Sequence, residues 1–187
     1  MGHRNTITHQ ELVDAQDIRD GDIVLDCGGY QGDYTAEVLK RYDVSIIILE
    51  PQKEFYKYCK ERFKDDTRVL VLNYGLGKRT QEQKFYLGQR KDSSSIYEGR
   101  AYKSTGNTTV QMRNAQEFFD EYPCDVAKFN VEGAEYDILD VLNISPIREI
   151  LLQFHNIKDY SRKKYRAKMS RTHTGKYLGG HWETWRR

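Results

Sequence analysis

The sequence lacks an apolar run long enough to cross a bilayer, and its first ten residues lack the apolar core of a secretory signal. We therefore expect neither a membrane span nor export. The three cysteines, Cys27, Cys59 and Cys124, are odd in number and show no metal-ligand spacing, which favours reduced thiols in the cytoplasm. With 187 residues, 38% of them hydrophobic and 31% charged, the chain has the size and composition of a single globular domain, residues 1–187.

A dinucleotide-binding fingerprint is also missing. Residues 27–32 read C-G-G-Y-Q-G, so Cys27 stands where the first glycine of G-x-G-x-x-G is needed. The surrounding pattern is nevertheless typical of a βαβ unit. An apolar strand at residues 23–25 precedes the glycines, helical spacing follows at 33–42, and an apolar run, interrupted only by Ser45, follows at 44–49. The sequence thus predicts a parallel α/β sheet with a glycine-rich loop.

Two carboxylates indicate what this loop binds. Glu50 follows the second strand, where nucleotide-binding α/β folds place an acid on the ribose hydroxyls. Asp26, at the entrance of the loop, would repel a pyrophosphate and favour a ligand with ammonium and sulfonium charges. S-adenosylmethionine carries both charges and a ribose, so we predict it as the cofactor.

Four segments in order resemble the motifs of FkbM-type S-adenosylmethionine-dependent methyltransferases: LDCGGYQGDYT at 25–35, ILEP at 48–51, AKFNVEGAEYDIL at 127–139 and LLQFH at 151–155. The resemblance covers roughly residues 20–156. It implies a Rossmann-like class I methyltransferase fold, with a mostly parallel central sheet, helices on both faces and a C-terminal antiparallel hairpin. Asn130 and Gln153 depart from the family pattern, which usually has aspartate and often glutamate at these places.

The predicted cofactor-binding residues lie in the glycine loop or at the carboxyl ends of strands: Asp26, Gly28, Gly29, Tyr30, Gly32, Glu50, Pro51, Asn73 and Asn130. His155, after a strand at 148–154, is the first candidate for the catalytic base, because an unperturbed imidazole titrates near neutral pH. Glu132, after a strand at 125–131, is the second catalytic candidate. These two residues with Asn130 would be a weak set of ligands for a divalent cation, and we predict no metal. Lys128 interrupts an apolar strand and needs a partner, for which we expect Glu132 or Glu50.

The resemblance implies an O-methyltransferase that acts on a hydroxyl of a sugar, glycan or small metabolite. Enzymes that methylate base amines resemble each other in a [DN]-P-P-[YF] segment, and the corresponding residues 130–133 here read N-V-E-G. An amine acceptor is therefore disfavoured. A module that binds the cofactor without catalysis is an alternative, motivated by Asn130 and Gln153.

Three segments lie outside the βαβ pattern. Residues 1–21 read as a lead-in, and residues 83–113 as a hairpin-like insertion whose residues 93–95 form either a mobile loop over the site or an ordinary surface loop. Residues 158–187 carry ten Lys or Arg against two acids, a local charge of +8 that leaves −6 for the rest of a chain of net charge +2. This basic aromatic segment could bind an anionic substrate or RNA, and RNA binding would make ribose methylation the alternative function. The structural alternative is a solvated helix face followed by a hairpin whose aromatic side chains pack on the sheet.

Overall fold

The computed structural model describes residues 7–89, 94–98 and 103–187. The elements within these ranges are α1 (His9–Asp14), β1 (Ile23–Cys27), α2 (Asp33–Leu39), β2 (Ser45–Leu49), α3 (Lys53–Arg62), β3 (Val69–Leu72), β4 (Gly75–Gly77), β5 (Gln81–Leu87), β6 (Gly106–Asn114), α4 (Ala115–Glu121), β7 (Val126–Phe129), α5 (Glu135–Val141), β8 (Glu149–Gln153), α6 (Arg162–Met169), β9 (Thr174–Gly179) and β10 (Trp182–Arg186).

Seven strands form the central sheet in the order β3-β2-β1-β7-β8-β10-β9. The first five run parallel to one another, while β10 is antiparallel to both β8 and β9. The predicted parallel sheet with a C-terminal antiparallel hairpin is therefore confirmed. A second sheet of three strands, in the order β4-β6-β5, lies beside it.

Helices cover both faces of the central sheet. On β1, Val24 packs into a core that contains α1, α2 and α3 side chains, whereas its neighbour Leu25 packs into a second core with α4, α5 and α6. Successive side chains of a strand point to opposite faces, so a strand covered on both sides is apolar at consecutive positions. This burial explains the apolar residues at 23–25 in β1 and at 46–49 in β2.

The strand register brings the predicted site to one edge. Cys27, the last residue of β1, is paired with Leu49 of β2 and Phe129 of β7. The residues that follow these three strands therefore meet at their carboxyl ends, where open α/β sheets bind ligands. The predicted strand at 125–131 ends two residues early, so Glu132 lies in a loop, with a φ of 52°.

The predicted insertion contains a long antiparallel pair, β5 and β6, and β6 also pairs in parallel with β4. Ser93 lies outside the described residues, while Ser94 and Ser95 are buried. From the lead-in, α1 places Leu12 and Val13 in the core beside α2. Residues 1–6 lie outside the described part of the chain.

In the C-terminal segment most aromatic side chains pack inward. Tyr165, Trp182 and Trp185 are buried, and the Cβ of any residue replacing Gly175 would lie 2.7 Å from the Trp185 ring. Tyr177, by contrast, is 63% exposed. The packing interpretation thus holds for three of these rings. No helix among the described residues is long and apolar enough to cross a membrane.

Candidate functional site

A cavity of about 280 Å³ opens at the carboxyl edge of β1, β2 and β7. Its size is near the lower end of the roughly 300–1,000 Å³ usual for small-molecule sites. The wall is formed by residues 27–30, 33–34, 50–52, 75–76, 94, 96, 130–132 and 134, together with His9, Phe85, Met112 and Lys128.

The structure brings most of the predicted site residues to this wall. Those that line the cavity are Gly28, Gly29, Tyr30, Glu50, Pro51, Asn130 and Glu132. The other four predicted residues lie in the described part of the chain but do not line the cavity: Asp26, Gly32, Asn73 and His155. These four act from behind the wall, through contacts with residues that face the cavity.

The glycine loop requires its glycines for conformational and steric reasons. Gly28 has a φ of 82°, and a Cβ at this position would lie 2.0 Å from the carbonyl oxygen of Asn130. Tyr30 also has a positive φ, 49°, and its backbone N–H donates a 2.9 Å hydrogen bond to Glu50 Oε2. The loop thus folds back on the carboxylate at the end of β2.

Two predicted residues support the wall from behind. Gly32 caps α2 with a φ of 77°, and a Cβ there would lie 2.5 Å from the ring of Phe63. The Asn73 amide donates hydrogen bonds of 2.9 and 3.1 Å to the carbonyl oxygens of Glu50 and Pro51. Asn73 therefore fixes the turn that follows β2.

Glu50 is a buried carboxylate with one backbone donor on each oxygen. Gln52 N–H donates to Oε1 at 2.8 Å, and Tyr30 N–H donates to Oε2 at 2.9 Å. Burial raises the pKa of Glu50 to about 7, although these two amides lower it. Each oxygen retains acceptor capacity, so the pair is arranged to receive two neighbouring hydroxyl groups.

Asp26 pairs with Lys128, which corrects the expectation that Glu132 or Glu50 would be the partner of this lysine. Lys128 Nζ lies 2.7 Å from Asp26 Oδ1 and 2.9 Å from the carbonyl oxygen of Gly28. Thr35 Oγ1 donates to the other oxygen of Asp26 at 2.8 Å. Asp26 and Lys128 are opposite each other in the register of β1 and β7, and both are buried. The charge of Asp26 is therefore compensated inside the protein.

Asn130 has an unsatisfied polar atom at the cavity. Its backbone N–H donates to the carbonyl oxygen of Cys27 at 3.1 Å, while its side-chain Oδ1 is buried and has no hydrogen-bond partner among the described residues. An unpaired buried acceptor costs free energy, on the order of 1–3 kcal/mol. A ligand that donates a hydrogen bond here would recover that cost.

His155 lies between two carboxylates. Its Nδ1 is 2.8 Å from Glu135 Oε1, and its Nε2 is 3.2 Å from Glu132 Oε1. Glu135 also accepts hydrogen bonds from the backbone N–H groups of Val131 and Gly133, at 3.2 and 3.0 Å. The trio thus fixes the loop in which Glu132 faces the cavity.

This arrangement argues against His155 as the base. Burial disfavours the charged imidazole, but Glu135 and Glu132 outweigh burial and raise the pKa of His155 to about 9. At neutral pH the ring is protonated at both nitrogens and has no lone pair to accept a proton. Among the described residues, no group of three or more His, Cys, Asp or Glu side chains is placed to hold a metal ion.

Sequence reasoning missed Glu135, Ser95 and His9. Glu135 is the last residue of the E-G-A-E motif and the first residue of α5, and an acidic residue in the first turn of a helix was a usable signal. Ser95 Oγ donates to the carbonyl oxygen of Glu132 at 2.6 Å, and His9 of α1 lines the cavity. Nothing local in the sequence links the last two residues to the glycine loop.

The residues present fit S-adenosylmethionine. The two oxygens of Glu50 suit a ribose diol, and the unpaired oxygen of Asn130 suits an N–H donor. Apolar side chains from the small sheet, Leu76, Phe85 and Met112, form a wall suited to the faces of a purine.

Comparisons with known structures agree with this fold. A precorrin-6y C5,15-methyltransferase from Geobacter metallireducens is 10% identical and superposes with a TM-score of 0.56, covering 100% of this chain and 94% of that one. An S-adenosylmethionine-dependent methyltransferase from Aquifex aeolicus is 11% identical, with a TM-score of 0.53 and coverages of 97% and 89%. M. capricolum TrmK, in complex with S-adenosylhomocysteine, is 9% identical, with a TM-score of 0.50 and coverages of 100% and 67%. The predicted Rossmann-like methyltransferase fold is confirmed.

A comparison with protein families gives the identity of the chain. No curated protein matches it in sequence. The model of the methyltransferase FkbM domain matches residues 26–184, which include the glycine loop, Glu50 and the E-G-A-E motif. The chain therefore belongs to the FkbM methyltransferase domain family and is a methyltransferase with S-adenosylmethionine as its cofactor.

Proposed function

We propose that this protein is an O-methyltransferase whose acceptor is a hydroxyl of a sugar, glycan or small metabolite. The observation that carries the proposal is the Glu132 carboxylate at the cavity wall, held on one side by His155. A hydroxyl must lose its proton during methylation, and a carboxylate within hydrogen-bond reach can accept it.

The cofactor end of the cavity supplies binding groups. Glu50 would accept the two ribose hydroxyls, and the buried Asn130 Oδ1 would accept an N–H of the cofactor. When bound, S-adenosylmethionine supplies a methyl group on a sulfonium, which is a good leaving group. The contribution of the protein is then mainly to hold the acceptor oxygen in line with the carbon–sulfur bond.

Glu132 has the proton-accepting role in this proposal, and His155 is a positioning residue. With S-adenosylmethionine bound, the acceptor oxygen would take the methyl group as the carbon–sulfur bond breaks, and the carboxylate of Glu132 would take the proton of the acceptor hydroxyl. Protonated His155 keeps that carboxylate oriented while Ser95 holds the backbone of the same residue through its carbonyl oxygen. Ser94 and Ile96 line the cavity, so the insertion contributes to acceptor selection.

The test is methyl transfer from labelled cofactor to a panel of sugars, glycans and small alcohols. Glu132→Gln should lower kcat on the accepted substrate by about 100-fold while leaving S-adenosylhomocysteine affinity within about twofold. Glu61→Gln is the matched control, because Glu61 is an exposed residue of α3 that does not line the cavity. Full turnover by Glu132→Gln would remove its catalytic role.

RNA ribose methylation is the second candidate, and the observation that favours it is the exposed cationic surface of the C-terminal segment. Lys163, Lys164, Arg171 and Lys176 are exposed, and so is the ring of Tyr177. Binding of single-stranded RNA that weakens steeply with salt and depends on Tyr177 would support this candidate. Absence of binding at low salt would remove it.

The same assays separate a third candidate, a module that binds the cofactor without catalysis. Cofactor binding by calorimetry, with no methylated product from any hydroxyl or RNA, would favour that role.

We also propose the cytoplasm as the compartment. All three cysteines are buried and none forms a disulfide, as expected for a reducing environment.

A further inference from the structure

One residue at the cavity belongs to an element with no part in the proposed site. His9 is the first residue of α1, in the lead-in, and its side chain lines the cavity together with residues of the glycine loop. Within the described part of the chain, the His9 ring forms no hydrogen bond or ion pair. His9 is also exposed, so its ring nitrogens are open to a ligand in the cavity as well as to water.

The helix that carries His9 is held firmly in place. Thr8 and Glu11 form a capping box around its first turn, with hydrogen bonds of 2.8 and 3.2 Å. Leu12 and Val13 are buried in the core. A side chain on such a helix reaches the cavity from a defined position.

The charged groups that act most strongly on His9 come from β1, β7 and α2: Asp26, Lys128, Asp33 and Glu37. They mark a polar end of the cavity. With the ribose on Glu50 and the purine against the apolar wall, this polar end remains for the amino-acid group of the cofactor. That group carries an ammonium and a carboxylate.

The carboxylate needs a donor, and the wall offers few. Among the described residues that line the cavity, His9 and Lys128 are the only basic side chains. Lys128 is already bound to Asp26 and to the carbonyl oxygen of Gly28. We infer that His9 is a further cofactor-binding residue, which donates a hydrogen bond to the carboxylate of the amino-acid group. The inference rests on the proposed cofactor site, but not on the identity of the methyl acceptor.

The charge state of His9 gives a second readout. Partial desolvation at the cavity and Lys128 lower the pKa of His9, and they outweigh Asp26, Asp33 and Glu37, which raise it. A bound carboxylate stabilises the imidazolium, so binding is coupled to proton uptake. Affinity for a ligand with the carboxylate should therefore rise as the pH falls from 8 to 6.

Calorimetric titration with two ligands tests the inference. S-adenosylhomocysteine has the amino-acid group, and 5′-methylthioadenosine lacks it. His9→Ala should weaken S-adenosylhomocysteine binding by about tenfold and leave methylthioadenosine binding within about twofold. His9→Gln keeps an N–H donor, so at pH 8 it should lose less affinity for S-adenosylhomocysteine than His9→Ala does. Its affinity should no longer rise between pH 8 and pH 6 through protonation of residue 9. Gln10→Ala is the matched control on the exposed side of α1.

The outcomes are distinguishable. If the wild-type protein binds neither ligand, the proposed cofactor site fails. If it binds both and His9→Ala changes neither affinity, or changes both equally, only the role of His9 is refuted. Glu50 has a pKa of about 7, so its titration changes the affinity for both ligands. The difference in pH dependence between S-adenosylhomocysteine and methylthioadenosine binding therefore reports the amino-acid end alone.

Discussion

Raising the pH should destabilise this protein through His155. Two carboxylates, Glu135 and Glu132, outweigh the effect of burial and raise the pKa of His155 from 6.5 to about 9. The folded state therefore holds this proton more tightly than the unfolded chain. The resulting stabilisation is fully present below pH 6.5 and is lost as the pH rises through 9. At roughly 1.4 kcal/mol for each pKa unit, the free energy of unfolding falls by about 3 kcal/mol across this window.

The measurement is urea unfolding followed by circular dichroism at pH 6.5 and 9.5, for the wild type and for His155→Gln. Glu50 also titrates, with a pKa of about 7, but it does so in both proteins. The quantity of interest is therefore the difference in unfolding free energy between the two proteins. We expect that difference to shrink by about 3 kcal/mol from pH 6.5 to pH 9.5.

A difference in unfolding free energy that stays constant between the two pH values would refute the reasoning. A direct observation of the ring provides an independent check, because nitrogen-15 shifts of the imidazole separate the protonated from the neutral form. A neutral His155 ring at pH 7.5 would contradict the assignment as a positioning residue, and the role of base would return to it.

Three further predictions concern the glycine loop and its supports. Glu50→Gln should weaken methylthioadenosine binding by about tenfold at pH 8 and should remove its pH dependence near 7, which calorimetry can measure. Gly28→Ala should lower the melting temperature and abolish cofactor binding, because its Cβ would lie 2.0 Å from the Asn130 carbonyl oxygen; a normal melting curve would contradict this. Asp26→Asn should lower the free energy of unfolding by about 3 kcal/mol, because it leaves the Lys128 charge without a carboxylate. The double variant with Lys128→Met should recover most of this loss, and additive losses in urea unfolding would disprove the pairing.

The fold could be predicted because its signals are local. The glycine loop, the apolar runs of β1 and β2 and the helical spacing between them each follow from a few neighbouring residues. The rule that ligands bind at the carboxyl ends of parallel strands then placed Gly28, Glu50 and Asn130 together. The structure puts all three at one cavity.

The side-chain pairs could not be predicted in the same way, because they depend on strand order and register. Asp26 and Lys128 meet only because β1 is the neighbour of β7 and these two residues are opposite in the register. His155 and Glu135 meet only because the start of α5 packs against the end of β8. The pKa of a free imidazole therefore does not describe His155, whose two carboxylate neighbours raise its pKa to about 9.

These pairs also change the electrostatic account of the site. Among the described residues, most acidic side chains of the cavity or directly behind it have cationic partners: Asp26 with Lys128, and Asp33 with Arg62. Glu132 and Glu135 share His155, which compensates one of their two charges. Glu50 itself has a pKa of about 7, so it is only partly ionised at neutral pH. The cavity is therefore far less negative than Asp26 and Glu50 alone would suggest. A net negative field is too weak to select a cationic cofactor here, and selection must come from the placement of individual donors and acceptors. That placement depends on the backbone of the glycine loop, which is why the close contact of Gly28 with Asn130 is as important to recognition as any charge in the site.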